Sequence, residues 1–419
     1  MGLAADRRPS LVGRRKGTKK RAVKARSIPR PLSQKKKIFN LVYSTNWVCN
    51  DKIDASMPVE LQEVCRRIAA RTPLCCEMTS IAFTSLLACA AREAGFEVRR
   101  HPVGDKSSWL KVGAAAQRGE IRGASAVLLH AWHGQYEKEC IPAWDYYPVL
   151  EAISSQSLLL YPSAQLDRLH SEKRYTSKLM PPTKFLTLRR HGDNVCADGR
   201  KVAAAAADAL RELRTEAKSA GLSFENVVVK QGLSWGGYAV RRLRPKDVPG
   251  FLEHGVAAKM PKEAQELTVL LQAKVDLVGE LRWTVVDGEL RGRGWTTLRT
   301  PRLGRRAITG GYKNETMSRT SLQRFGLAKD AKGRRDLEES LRSKVELVVA
   351  EAAADGGGEV PQYLRVDLLL DKQGRAWLGE RESWGADLVR NQEKALGRTN
   401  PTKAELARAM IQRAIQLRA

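Results

Sequence analysis

The sequence has no long hydrophobic run, no CxxC pair and no excess of acidic residues. Its longest apolar runs, such as 126–132 and 157–162, fall far short of the roughly 20 residues that a membrane-spanning helix needs. Seven cysteines at irregular spacing argue against a disulfide framework and against a structural zinc site. We therefore expect a reduced, intracellular protein without a transmembrane segment, most simply in the cytoplasm.

Acidic residues are scarcest in residues 1–37, which hold fourteen Lys or Arg and one acid, Asp6. This segment contributes +13 (14 − 1) to a net charge of +27, and it has too few apolar residues to form a core. We predict a disordered basic tail. Weak contact with nucleic acid or an anionic surface is one role for such a tail, and a nuclear or organelle address is another.

Apolar strands alternate with helical stretches after the tail, and this order predicts a parallel α/β sheet. Four strands are expected, at 38–44, 96–103, 126–132 and 158–161, with an apolar helix at 78–94 that ends at Gly95. The predicted domains are the tail at 1–37, an N-terminal α/β domain at 38–163, a second domain at 164–395 and a C-terminal helix at 396–419.

The most informative segment is YLRVDLLLDKQGRAWLGERE, residues 363–382, which alternates apolar and charged side chains. The turn residues DKQGR predict a hairpin with a loop at 372–375, in which Asp371 pairs with Ala376. The apolar face of this hairpin belongs on a core, and the charged face belongs on a cleft or in water.

In this register Asp367 lies opposite Glu380, and Arg365 lies opposite Glu382. Two facing carboxylates repel each other unless a cation lies between them. Together with Glu382 they suit Mg²⁺, which prefers oxygen ligands and also binds nucleotide phosphates. The alternative is a solvated hairpin whose acids are neutralised by Arg365.

A glycine-rich loop follows an apolar strand in VVVKQGLSWGGYAVRRL, residues 227–243. Its glycines, in the segment 232–237 that we term the glycine loop, let backbone N–H groups approach phosphates, and Lys230 adds a charge there. The Walker A pattern is absent, and an ordinary hairpin turn is the alternative interpretation. Further upstream, Lys173 precedes a Pro-Pro pair and is by itself only weak evidence for a site.

Taken in order, these segments resemble the ATP-grasp superfamily over residues 160–392. The resemblance implies phosphate contacts from Lys173, Lys230, Ser234, Gly236 and Gly237, an adenine contact around Lys274, and a ribose contact from Glu280. It also implies a catalytic role for Arg365 and metal ligation by Asp367, Glu380 and Glu382. The last metal position is usually Asn in the family, so Glu382 departs from the pattern.

The resemblance implies an α/β fold in which an N-terminal parallel domain precedes two ATP-grasp subdomains that clamp ATP. It further implies an ATP-dependent carboxylate–amine ligase that uses Mg²⁺, or alternatively Mn²⁺, and forms an acyl phosphate. Its partners would be a small-molecule or peptide carboxylate and an amine acceptor. Two alternatives remain: an ATP-grasp kinase that phosphorylates a polyanionic small molecule, and a degenerate ATP-grasp domain in a nucleic-acid-binding protein.

Overall fold

The computed structural model describes residues 37–44, 81–129, 131–132, 141–161, 163–233, 240–297, 330–382 and 401–417. Residues 1–36, which hold nearly all of the predicted basic tail, therefore lie outside the described part of the chain. Within that part, no helix is both long enough and apolar enough to cross a membrane.

Strands and helices alternate along most of the described chain. The strands are β1 Lys37–Ser44, β2 Phe96–Val103, β3 Gly123–Leu128, β4 Ala131–Trp132, β5 Ile141–Pro142, β6 Ser157–Tyr161, β7 Thr183–His191, β8 Asn194–Ala197, β9 Arg200–Lys201, β10 Val227–Gln231, β11 Val240–Leu243, β12 Glu266–Ala273, β13 Leu277–Val286, β14 Glu289–Thr297, β15 Tyr363–Asp371 and β16 Ala376–Glu382. The main helices are α1 Ile81–Glu93, α2 Lys106–Gln117, α3 Ala143–Gln156, α4 Ala164–Ser171, α5 Val202–Ser219, α6 Ala331–Asp355 and α7 Pro401–Gln416. Short helical turns also span 245–259.

A four-stranded sheet in the order β2-β1-β3-β6 is parallel throughout, as the sequence predicts. Phe39 and Leu41 on β1 face a core shared with α1 and α7, whereas Val42 faces a second core shared with α2 and α3, which we term the α2–α3 core. The predicted strand 126–132 is wrong in one respect. β3 ends at Leu128, and β4 forms separately because it pairs with β5 in a two-stranded sheet.

Two antiparallel sheets follow the parallel one. The first has the order β11-β10-β12-β7-β8-β9 and packs Val229 and Leu271 against α5, and the second has the order β14-β13-β15-β16 and packs Val366 and Leu368 against α6. The chain passes from one sheet to the other through residues 274–276. One parallel and two antiparallel sheets with packed helices confirm the predicted α/β class.

The β15–β16 hairpin has the predicted register at its charged end. Arg365 lies opposite Glu382, and Asp367 lies opposite Glu380. The apolar residues of β15 point towards α6, as the alternation of the sequence predicts. Arg365, Asp367, Glu380 and Glu382 therefore share the other face of the sheet. Arg381 is the exception, because it lies opposite Val366 on the α6 side and pairs there with Asp355.

Towards the turn the predicted register is wrong by one residue. Leu370, rather than Asp371, lies opposite Ala376. The reason is a bulge in β16, which carries one more residue than β15 between the charged pairs and the turn. The shift occurs at Gly379, where a Cβ atom would lie 2.8 Å from the Leu369 side chain. Only glycine allows this close approach without a local shift, so the bulge depends on that residue.

Helix α4 connects the parallel sheet to the antiparallel sheets and contacts both α3 and β16. The Ser163 side chain caps its start by accepting a hydrogen bond from Leu166 N at 3.2 Å. Asp167 on its buried face is only 3% exposed, and its Oδ2 has no hydrogen-bond partner among the described residues. Burial raises the pKa of Asp167 to about 8, and the nearby carboxylates of Glu172 and Glu382 add to that increase.

The Gly379 bulge can be tested with a single methyl group. We expect Gly379→Ala to lower the free energy of unfolding by about 1–3 kcal/mol, because the new Cβ overpacks against Leu369. Gly250→Ala is the matched control, since Gly250 has helical backbone angles and a Cβ added there would have no atom within 4 Å. Urea denaturation measures both variants, and an equal effect at the two positions would contradict the assignment.

Asp167 should make stability depend on pH. Its folded pKa lies above its unfolded value of 3.8, so the wild-type protein loses stability as the pH rises from about 4 to about 8. The asparagine of Asp167→Asn cannot ionise. The unfolding free energy of this variant minus that of wild type should therefore rise with pH, by up to about 1.4 kcal/mol per pH unit in that window. Urea denaturation at several pH values measures this slope. A difference between Asp167→Asn and wild type that does not change with pH would refute the prediction.

Candidate functional site

The candidate site lies where the two antiparallel sheets meet. Lys230, on the first sheet, extends its Nζ to within 3.0 Å of the Gly379 carbonyl oxygen on the second sheet. Lys173, just after α4, places its Nζ 2.5 Å from Glu380 Oε1. These contacts bring together the lysines and the acidic hairpin that the sequence singled out separately.

Arg365 occupies the centre of the acidic face of the hairpin. Its Nη2 atom lies 3.1 Å from Asp367 Oδ2, 3.2 Å from Glu380 Oε2 and 2.5 Å from Glu382 Oε2. The Arg365 side chain is only 5% exposed, so solvent screens these contacts little. One guanidinium group therefore provides the positive charge that allows carboxylates to face each other across neighbouring strands.

Arg282 on β13 is a second cation of the site, and the sequence reasoning missed this role. Its Nε and Nη2 atoms each donate to one carboxylate oxygen of Asp367 at 3.0 Å, in a bidentate pair. Its Nη2 also lies 3.7 Å from Glu280 Oε1. The available signal was spacing: Glu280 and Arg282 are two residues apart on one strand, so their side chains share a face.

The two lysines approach from different elements, and Lys173 is buried whereas Lys230 is partly buried. Lys173 has a left-handed backbone, with φ of 54°, directly after the end of α4. Its side chain is 9% exposed and joins the α4 region to β16 through Glu380. Lys230 extends from β10, and burial lowers the pKa of its ammonium group despite the attraction of nearby carboxylates. An anionic ligand between the sheets would favour the charged form of Lys230.

The cluster shifts the pKa values of Glu380 and Glu382 in opposite directions. Burial disfavours the ionised form of Glu380, but Lys173 and Arg365 outweigh it and hold its pKa well below the usual range. Burial raises the pKa of Glu382 to about 7, and Arg365 offsets that effect only in part. Glu380 is therefore a fixed anion, whereas Glu382 is the carboxyl that carries a proton most easily.

The remaining predicted site residues have separate positions. Glu280 is buried on β13 beside Arg282. Lys274 lies in the connection between the two sheets and pairs there with Asp276, away from the acidic cluster. Three predicted phosphate contacts lie outside the described residues, namely Ser234, Gly236 and Gly237.

The donor set of the acidic face suits a hard divalent cation. Asp367, Glu380 and Glu382 each place an oxygen within 3.2 Å of the single Arg365 Nη2 atom, so the three carboxylates can reach a common point. Carboxylate oxygens are the ligands that Mg²⁺ prefers. Within the described part of the chain, no group of three His, Cys, Asp or Glu residues is already arranged around a metal position. The guanidinium group would therefore have to yield its place to the cation.

The chain resembles known proteins in structure rather than in sequence. No protein-family model matches the chain, and no curated protein matches it in sequence. Among solved structures, D-cycloserine synthetase DcsG is similar with a TM-score of 0.51 and 16% identity, over 90% of this chain and 99% of that one. The D-alanine–D-alanine ligase of Bacillus anthracis has a TM-score of 0.48 and 11% identity, over 91% and 98% of the two chains. The similarity to D-cycloserine synthetase, together with the order of the sheets, shows that this chain has the ATP-grasp fold.

Proposed function

We propose that this chain is an ATP-dependent ligase that joins a carboxylate to an amine through an acyl phosphate. The observation that carries the proposal is the convergence of Arg365, three carboxylates and two lysines between the antiparallel sheets. A buried ionic cluster of this kind adds little to stability compared with an apolar one. Its placement where side chains of the two antiparallel sheets meet favours a binding and catalytic role.

The nucleotide would lie between the two antiparallel sheets. Lys173 and Lys230 would offset the charge of its phosphates, and the glycine loop would cover them with backbone N–H groups. Glu280, which is buried on β13, would accept hydrogen bonds from the ribose, and the connection around Lys274 would meet the adenine.

The metal proposed for this site is Mg²⁺, with Mn²⁺ as an alternative. Asp367, Glu380 and Glu382 would hold it, and the bound ion would neutralise charge on the terminal phosphates. Arg282 positions this set, because its bidentate pair with Asp367 fixes the orientation of that carboxylate.

Charge balance suggests how the cluster accepts Mg-ATP. The cluster holds four cationic side chains, Arg282, Arg365, Lys173 and Lys230, and four carboxyl groups, Glu280, Asp367, Glu380 and Glu382. Arg365 and Lys173 would exchange their carboxylate partners for phosphate oxygens, and the carboxylates they release would hold the metal. The ionic contacts of the free protein are thereby replaced rather than lost.

Arg365 is the proposed catalytic residue. A carboxylate oxygen of the substrate attacks the γ-phosphorus, the bond to the β-phosphate oxygen breaks, and ADP leaves. The amine then attacks the acyl carbon, phosphate leaves with the bonding electrons, and the amine nitrogen gives up its extra proton. Arg365 would stabilise the charge on the transferring phosphoryl group, and such electrostatic stabilisation supplies most of the rate enhancement in phosphoryl transfer.

Binding of Mg-ATP is the first test of the proposed site. We expect Mg-ATP at a hundredfold excess over its Kd to stabilise the full-length chain by about 2.7 kcal/mol, measured as a shift in Tm. Asp367→Asn should lose the Mg²⁺-dependent part of that shift, and Lys230→Met should reduce the shift with or without metal. Because Asp367→Asn also leaves Arg282 without its partner, each variant is compared with its own ligand-free Tm.

Lys184→Met is the control for this measurement. Lys184 belongs to the same sheet as Lys230 but pairs with Glu212 and Glu216 on the α5 side, so its removal should leave the ligand shift intact. If the wild-type protein showed no shift, the proposed nucleotide site would be wrong.

The products of the reaction test the chemistry separately from binding. A library of carboxylate and amine pairs should release ADP and phosphate only when both substrates are present, and mass spectrometry should find the amide. Arg365→Lys should lower kcat at least about a hundredfold, because lysine cannot reproduce the guanidinium contacts. A stable phosphorylated hydroxyl product would instead identify the chain as a kinase and refute the ligase proposal.

A further inference from the structure

The segment that carries Lys173 contacts both antiparallel sheets. Lys173 itself has a left-handed backbone, with φ of 54°, which is unfavourable for a residue with a side chain. Such a conformation persists only where surrounding contacts compensate for it, and these outliers cluster at functional sites. The contacts of the next two residues, Arg174 and Tyr175, are therefore the ones that can hold this conformation.

Arg174 attaches the segment to the first antiparallel sheet. Its Nε atom donates to Thr268 Oγ1 at 2.7 Å, and its Nη2 atom pairs with Glu266 on the same strand, β12. Leu270, two residues further along β12, lies opposite Lys230. Arg174 therefore binds the strand that runs beside Lys230.

Tyr175 attaches the same segment to the second antiparallel sheet. Its hydroxyl oxygen accepts a hydrogen bond from Arg381 N at 3.0 Å, so a side chain takes the place of a strand partner at the edge of β16. The Arg381 guanidinium lies over the Tyr175 ring, 4.4 Å from its centroid, and the His170 ring contacts it edge-on. Arg381 directly follows Glu380, the carboxylate that pairs with Lys173. The hydrogen bond thus joins the segment to β16 next to the carboxylate that Lys173 contacts.

We propose that Arg174 and Tyr175 are positioning residues that hold Lys173 in place for nucleotide phosphate. This inference rests on the proposed function, since it assigns Lys173 to the same nucleotide. One residue fixes the segment to the sheet of Lys230, and the other fixes it to the sheet of Glu380. The lysine between them is thereby fixed relative to both sheets. Neither positioning residue need touch the ligand, because each acts through Lys173.

The contact with the first sheet is tested with Arg174→Met in the full-length chain. Methionine keeps an unbranched side chain but cannot bind Thr268 or Glu266. Arg189→Met is the matched control. Arg189 on β7 also pairs with Glu266, at 3.1 Å, so its removal takes a cation from the same carboxylate without changing the Lys173 segment.

The contact with the second sheet is tested with Tyr175→Phe. Phenylalanine keeps the ring beneath Arg381 and removes only the hydroxyl group that accepts from Arg381 N. Tyr146→Phe is the matched control, because it also removes one buried hydroxyl group that is bonded to the backbone. That hydroxyl donates to Leu129 O at 3.2 Å in the α2–α3 core.

The first measurement needs no nucleotide. The Lys173 ammonium group is buried against Glu380, so acetic anhydride should acetylate it slowly in wild type, as followed by mass spectrometry. Arg174→Met and Tyr175→Phe should each raise this rate about fivefold, because losing one hydrogen bond raises the population of open states by about that factor. Both controls should keep the wild-type rate.

The second measurement is the Kd for Mg-ATP by calorimetry. Arg174→Met and Tyr175→Phe should each raise this Kd about fivefold, and by less than Lys173→Met does. In a Lys173→Met background, neither substitution should raise the Kd further, because both act through that lysine. Arg189→Met and Tyr146→Phe should bind Mg-ATP with the wild-type Kd.

Three results would overturn the inference. Unchanged acetylation of Lys173 in both variants would show that Arg174 and Tyr175 do not hold it, whatever the nucleotide result. Faster acetylation with an unchanged Kd would show that the position of Lys173 does not matter for phosphate. An effect on the Kd that persists in the Lys173→Met background would show that the two residues act by another route. If wild type itself failed to bind Mg-ATP, the proposed function would be wrong, while the acetylation rates would still decide whether the two residues hold Lys173.

Discussion

The contact on which the second antiparallel sheet depends is the one between Arg365 and the three carboxylates around it. Asp367 and Glu380 face each other across β15 and β16, a placement that destabilises a sheet when no cation is present. Arg365 is on β15 itself, and Arg282 contributes from the other neighbouring strand. These two arginines neutralise part of the negative charge from within the sheet, and Lys173 and Lys230 add positive charge from outside it. The opposite face forms an apolar core with α6.

The site is completed by side chains from elements that are distant in sequence. Lys173 follows α4, Lys230 lies near the end of β10, and both reach the hairpin through contacts with Glu380 and Gly379. The bulge at Gly379 matters for this arrangement, because it keeps Asp367 opposite Glu380 while the turn adopts a different register. A hairpin without a bulge could have either the observed turn or the observed charged pairs. The extra residue allows both in one hairpin.

Sequence alone predicted the parts of this site that depend on alternation and turn chemistry. The pairing of Asp367 with Glu380, predicted from a period of two and a four-residue loop, is confirmed. The loop itself is one residue longer than predicted, and the extra residue at Gly379 restores the register of the charged pairs. The contribution of Arg282 could not be read in the same way, since the pairing of β13 with β15 joins residues 85 apart and has no local signature. Burial of Asp167 was equally inaccessible, because an eight-residue helix with a polar sequence gives no sign that it will be enclosed.

Glu382 shows why the cluster favours a functional explanation over a structural one. Replacing a buried ion pair with apolar residues of similar size is often neutral or stabilising, so stability alone would not keep four carboxyl groups in one cleft. An additional acid beside Asp367 and Glu380 increases their mutual repulsion, and Arg365 is its ion-pair partner at 2.5 Å. Such an arrangement is favourable where a ligand provides a cation that attracts the carboxylates more strongly than the protein's own side chains do. A divalent metal bound with a polyphosphate would meet that condition, because its phosphates would bind the arginine and lysine side chains that the carboxylates release.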